Sequence, residues 1–334
     1  MRSAPTSRLV AGIAGFGLAA GALTGCGFPE RVVGLHDAKV ETVDGAGVPE
    51  ATAVTITQRA LAQAGAAFAA KASDTKTHKA ILTGPALRIA ALPDKYTDEA
   101  GTSLKNPATP TILAVSAGRD WPRRILATTL VDGVQWLHVL VSEKPAEAYK
   151  LWVTVPMLPG SSVPALPPLS TGTDLVEGDD GLVADPPGVL NAYGHLLDIP
   201  APKDKKWAKL VGVKDPYATG VLAASKAQVK ALGKLGTFTR QHDPETKSAE
   251  SMAFRLADGS ALAFGQQQRV DLMKPTSKAK RLDLPSDLAS LAGEKSVTKQ
   301  LRLDWLLTFA TVIPKDKAAT VIGVSEQLRD IEAK

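Results

Sequence analysis

One thiol is the first place in this sequence where the residue types and their spacing could do chemistry. Cys26 follows Leu23-Thr24-Gly25 and closes an apolar run from Leu9 to Leu23, with Arg2 and Arg8 ahead of it. The run is as long as a secretory h-region and too short to span a bilayer comfortably. Small residues before a cysteine suit a peptidase that cuts just ahead of a lipid-modified thiol. Leu23, Thr24 and Gly25 are therefore expected as its recognition residues, and Cys26 as the acylated residue. It is the only cysteine in the chain, so no intrachain disulfide competes for it. A thioether-linked diacylglycerol supplies the two chains that durable anchoring needs. The expectation is a chain held by membrane lipid through acylated Cys26 on the extracytoplasmic face of the cell membrane.

Other candidates are sparser. His138 sits between Trp136 and Leu140 on a predicted strand; it reads either as a general base or donor in a cavity or as a hydrogen-bonded core histidine. Arg302 and Asp304 interrupt an apolar strand, as a charged pair in a cavity or as a solvated face. Lys203, Lys205, Lys206 and Lys209 surround Trp207, a pattern that suits anionic lipid or an acidic wall polymer and equally a solvated helix. Glu177, Asp179 and Asp180 lack the alternating ligand spacing of a calcium loop. His36, His78, His138, His195 and His242 are scattered without metal-ligand spacing. No G-x-S-x-G elbow, P-loop, H-E-x-x-H or C-x-x-C occurs. No catalytic residue, metal or cofactor is therefore assigned.

The elements that must position these residues come in a repeated order. Residues 26–50 read as a tether broken by glycine and proline. Helices are expected over 51–72, from Asp74 to Leu82, and from Gly84-Pro85 toward Tyr96 with a disturbance at Pro93. Strands follow at 111–116, 123–131, 134–142 and 148–155, with a hairpin at Asp132-Gly133. Residues 161–185, rich in proline and glycine, read as a linker. Asp185-Pro186 then opens a helix, 204–212 reads as a short basic helix, and Asp215-Pro216 opens a longer one. Strands are expected at 237–242, 251–257, 260–273, 299–313 and 318–325. In the fourth of these, Leu301, Leu303, Trp305, Leu307 and Phe309 alternate with polar residues, so one face is buried. Its Arg302, Asp304 and Thr308 are expected to point outward or into a mouth.

These patterns give an α+β fold of two similar domains, 51–160 and 186–334, each with helices packed on a curved antiparallel sheet. The order of elements resembles the nuclear-transport-factor-2-like or cystatin-like cone, a fold that hosts enzymes and binders alike. A formal charge of +5, lowered by two when Arg2 and Arg8 leave with the signal, argues for no nucleic-acid partner.

Several stretches together carry a closer likeness: Arg31 to His36, Thr83-Gly84-Pro85-Ala86-Leu87, Ala114-Val115-Ser116 with Trp121-Pro122, His138 to Val141, Met157 to Gly160, Asp215-Pro216-Tyr217 and Phe254 to Gly265. In these the chain resembles an uncharacterised family of lipoproteins from high-GC Gram-positive bacteria. The resemblance implies an anchored extracytoplasmic protein and supplies no catalytic motif. The expected role is a binding or scaffolding module of the cell envelope, touching another envelope protein or a wall polymer. The alternative is a hydrolase- or isomerase-like enzyme that uses a cone-shaped cavity.

Overall fold

Two aspartate–proline pairs and one lone aspartate start three of the helices as their chemistry dictates. Asp74, Asp185 and Asp215 each accept the backbone N–H three residues on, at 2.9–3.1 Å. Each carboxylate satisfies a donor that the first helical turn leaves free. Proline occupies the first positions after Asp185 and Asp215, where it loses no hydrogen bond. Asp132 and Gly133, with φ of 49° and 80°, make the tight hairpin that their residue types favour.

The computed structural model describes residues 45–96, 104, 109–243 and 251–334, all within one compact unit. Leu23, Thr24, Gly25 and Cys26 lie outside the described residues. The first half runs α1 (Glu50–Ala69), α2 (Thr75–Ile81), α3 (Gly84–Ala90), then β1 (Thr111–Val115), β2 (Arg123–Val131), β3 (Val134–Ser142) and β4 (Lys150–Pro156). These four strands form an antiparallel meander in sequence order. The second half runs α4 (Pro186–Leu197), α5 (Pro216–Leu232), β5 (Gly236–Asp243), β6 (Met252–Arg255), β7 (Ala261–Pro275), β8 (Leu282–Asp283), α6 (Ser286–Ala292), β9 (Ser296–Val297), β10 (Leu301–Ile313) and β11 (Thr320–Ala333). Its main sheet has the order β11-β10-β7-β5, and β6 pairs with the N-terminal part of β7. The protein is α+β with antiparallel sheets.

Packing follows from strand alternation. Leu137, Val139, Val153 and Val155 of the first sheet meet Phe254, Leu262, Phe264, Ala310 and Ile322 of the second in one shared core. On the far side of the first sheet, Ala53 and Ala60 of α1 cover Ile112, Ile125, Ala127 and Leu140. On the far side of the second, Val189, Ala192, Tyr193 and Leu197 of α4 cover Ala263, Leu307, Phe309 and Val321. The order of layers is helices, sheet, sheet, helices. This corrects the expectation of an open alternate face on β10. Thr308 is completely buried, because the first half sits on that face. There Gln266 donates to Thr308 Oγ1 at 3.2 Å and accepts from Arg88 Nε at 2.6 Å.

Other boundaries shift for local reasons. The helix opened by Gly84-Pro85 stops at Ala90, and only a 3-10 turn follows Pro93, at Asp94–Tyr96. The expected basic helix over 204–212 shrinks to a 3-10 turn at Trp207–Lys209. Residues 161–185 have no helix or main strand but are stitched to both sheets. Thr173 pairs with Ser116, Leu175 with Phe254, and Val176 N donates to Ala253 O at 2.9 Å. Thr173, Val176 and Leu182 are buried. Asp258-Gly259 joins β6 to β7, the second and third strands of the second half in chain order, as Asp132-Gly133 joins β2 to β3 in the first.

The two sheets also touch along one pair of edges. Met157, just after β4, pairs with Gly323 of β11, and Leu158 N donates to Ile322 O at 2.7 Å. A Cβ on Gly323 would lie 2.9 Å from Pro156 O and 3.2 Å from the Cβ of Ala310. Gly323→Val should therefore force the joint apart and cost about 1–3 kcal/mol, read as a lower urea midpoint with unchanged slope.

Candidate functional site

Beyond Met157 and Gly323 the edges of β4 and β11 diverge, and the space between them is a groove of about 620 Å³. That volume is in the range of small-ligand sites. Five consecutive residues of β11, Val324 to Leu328, line it. Neighbours in a strand point to opposite faces, so a groove that touches all five runs along the strand's edge. One wall carries Trp305 of β10, Tyr217 of α5 and Leu288 and Leu291 of α6. The other carries Trp136 of β3, Thr154 and Pro156 of β4 and Ile89 of α3. Lys95 and Tyr96, from the 3-10 turn after α3, close the end near Leu328.

Two of the five tryptophans and two of the four tyrosines of the chain face this groove. Two of these aromatics carry unspent polar atoms. Tyr96 is 7% exposed, and its Oη has no hydrogen-bond partner among the described residues; the same holds for the buried Nε1 of Trp305. Both atoms are closed to solvent and sit in the packing behind the groove surface, so they are unsatisfied polar groups of the wall and not contacts offered to a ligand.

No family model, curated protein or solved structure matches this chain.

Behind the Trp305 wall lies a buried charged network on the face of the second sheet that meets α4 and α5. Arg240 donates to both oxygens of Asp271, at 2.6 and 2.9 Å, and to Ser225 Oγ at 2.8 Å. Arg269 Nε lies 3.3 Å from Asp271, and Nη1 donates to Glu326 and, at 3.2 Å, to Tyr217 Oη. The Arg269 guanidinium stacks over Trp305, 4.8 Å from the ring centroid. Burial opposes the charge of Arg269, but Asp271 and Glu326 outweigh it and hold the group above its ordinary pKa. Burial, with Glu326 beside it, pushes the Tyr217 hydroxyl up, so it stays protonated and donates to Glu326. Glu326 is thus the groove's carboxylate, already neutralised by Arg269.

His138 stands one residue behind the opposite wall. Its Nδ1 is 3.0 Å from Thr154 Oγ1, and its Nε2 is 2.8 Å from Thr129 Oγ1. It is fully buried, and desolvation lowers its pKa to about 3. A histidine so weakly basic is neutral near pH 7 and makes a poor general base for the Thr154 hydroxyl. It orients a wall residue instead of entering the groove.

Arg302 and Asp304 come together, with Nη2 and Oδ1 2.8 Å apart, but neither lines the groove. Trp207 stacks on His195 at 4.7 Å under the ammonium of Lys206, remote from the groove lining. Asp198 binds both His195 and His242, at 3.1 and 2.9 Å, and burial lowers the His242 pKa despite that partner. His242 Nε2 has no hydrogen-bond partner among the described residues. Asp180 pairs with Arg255, and no cluster of three or more potential metal ligands occurs among the described residues. A broader hollow beside α6 is lined by exposed Arg281 and Asp283, which pair with each other at 3.0 Å.

Sequence reasoning placed Trp305 on a buried face and overlooked Tyr96, Trp136, Tyr217 and Glu326 as site residues. Little in the sequence set them apart, because Tyr96 and Tyr217 also pack as core residues.

Proposed function

We propose that this protein is a binding module of the cell envelope, anchored through lipid on Cys26, and that its ligand occupies the groove beside β11. The observation that supports it is a cavity of about 620 Å³ walled by four aromatic side chains along the edge of β11. A purely structural partner would instead meet a broad exposed apolar face. The large exposed apolar side chains among the described residues are four: Leu130, Val134, Val229 and Leu235. Leu130 and Val134 flank one hairpin, and Val229 and Leu235 flank the end of α5. We further propose that the two halves are two copies of a helix-then-meander cone packed sheet to sheet, on the strength of their shared order of elements.

Location and binding are tested separately. Cys26→Ala should move the protein from the detergent phase of a membrane extract to the aqueous phase; retention in the detergent phase contradicts the anchor. Ser325→Trp fills the groove without removing a core contact. Purified from native membranes, the wild type should carry a co-purifying ligand that mass spectrometry detects and that this variant lacks. Equal ligand content in the two proteins contradicts the groove as the site.

A further inference from the structure

We infer that the groove takes its ligand by strand addition: a short, uncharged, extended peptide segment pairs with the free edge of β11 from Val324 to Leu328. This rests on the groove being the ligand site and names the chemical class that fits it. The outer edges of β1, β4 and β5 are each tied to another segment at one place. β1 continues into Ser116, which is bridged to Thr173, and Ala117 N donates to Thr173 O at 3.0 Å. β4 is bridged at Leu151 by Leu82 and ends in Pro156, which has no N–H to offer. β5 exchanges both backbone hydrogen bonds with Ile199 at Arg240, each 2.9 Å long. β11 is covered at Gly323 by Met157, and farther on, Arg329, Asp330 and Glu332 put charge on its edge.

Between those two protections lie Val324, Ser325, Glu326, Gln327 and Leu328, with no backbone partner on the outer side among the described residues. Five residues of strand span about 17 Å. Backbone donors and acceptors in such a row require hydrogen bonds, and a second extended chain is the ligand whose groups repeat at the same spacing. The walls suit alternating side chains, since Trp305 and Tyr217 stand on one face of the added strand and Trp136 and Ile89 on the other. A basic peptide gains little, because Arg269 already neutralises Glu326, and Lys95 offers a cation only at the closed end, over the Tyr96 ring.

The test uses the purified soluble Cys26→Ala protein and a library of acetylated, amidated pentapeptides built from neutral and apolar residues. The tightest member should quench tryptophan fluorescence and slow hydrogen exchange at alternate amides of Val324 to Leu328. Its counterpart methylated on alternate backbone nitrogens should bind at least about tenfold more weakly. Equal binding of the methylated peptide overturns strand addition while leaving the groove as a site. Neutral oligosaccharides form a second arm: if they quench fluorescence and no peptide does, the ligand class is wrong and the site stands. If neither peptides nor oligosaccharides quench and Ser325→Trp behaves as wild type throughout, both the strand addition and the groove reading fall.

Discussion

Asp271→Ala should destabilise the protein by about 3–5 kcal/mol, among the largest effects of any single polar substitution here. Asp271 is the shared counter-ion of two arginines whose side chains are only 8% and 4% exposed. Removing its carboxylate leaves Arg240 buried, with Ser225 Oγ as the remaining side-chain hydrogen-bond partner among the described residues. Arg269 keeps Glu326, so the loss falls mostly on Arg240. A double replacement, Asp271→Leu with Arg240→Met, should recover much of the stability, because an apolar pair of similar volume needs no desolvated charge. Urea unfolding monitored by circular dichroism decides it. A cost below about 1 kcal/mol for Asp271→Ala would show that the network is solvated and that the layer beneath Trp305 is less tightly sealed than described.

His138 should make the fold acid-sensitive well above the range where carboxylates titrate. Its pKa falls from 6.5 to about 3 on folding because burial penalises the imidazolium. The unfolded chain therefore binds the proton more tightly than the folded one, so stability from this group is complete above about pH 6.5 and is lost as pH falls toward 3. The full swing is about 3–5 kcal/mol, with a slope of about 1.4 kcal/mol per pH unit in that window. His242, also shifted down by burial, adds in the same direction. His138→Gln keeps polar contact with Thr129 and Thr154 but cannot titrate. Its stability at pH 7 should be lower, and its decline between pH 6 and 4 distinctly shallower, than in the wild type. Parallel curves for the two proteins would mean that His138 is reached by water and shares its proton freely.

The parts of the fold that local chemistry specifies were legible in the sequence. Asp-Pro pairs opened α4 and α5, Asp-Gly turned β2 into β3, and the odd residues of β10 alternated inward as Leu307 and Phe309 do. What was not legible is decided by layers meeting at long range. Thr308 reads as an outward polar residue, yet it is buried because the first sheet packs on that face, which no spacing within β10 announces. The groove depended on just those features. Its lining from Glu326 onward lies in the part of β11 beyond the expected end at Ser325, where Glu326, Arg329, Asp330 and Glu332 mask the strand pattern. Leu288 and Leu291 come from α6, a seven-residue helix too short to show a helical period. Tyr96 follows Pro93, where the sequence indicated only a disturbance.

The central claim is that the ligand sits against the outer edge of β11. A photo-reactive amino acid placed at Ser325, in the half-buried groove wall, tests it most directly when compared in intact cells with one at exposed Lys226 on the back of α5. An adduct of one defined mass is expected from position 325, abolished when Gly323→Val opens the joint beside it, and none from position 226. The same adduct from both positions, or adducts from 226 alone, would contradict it.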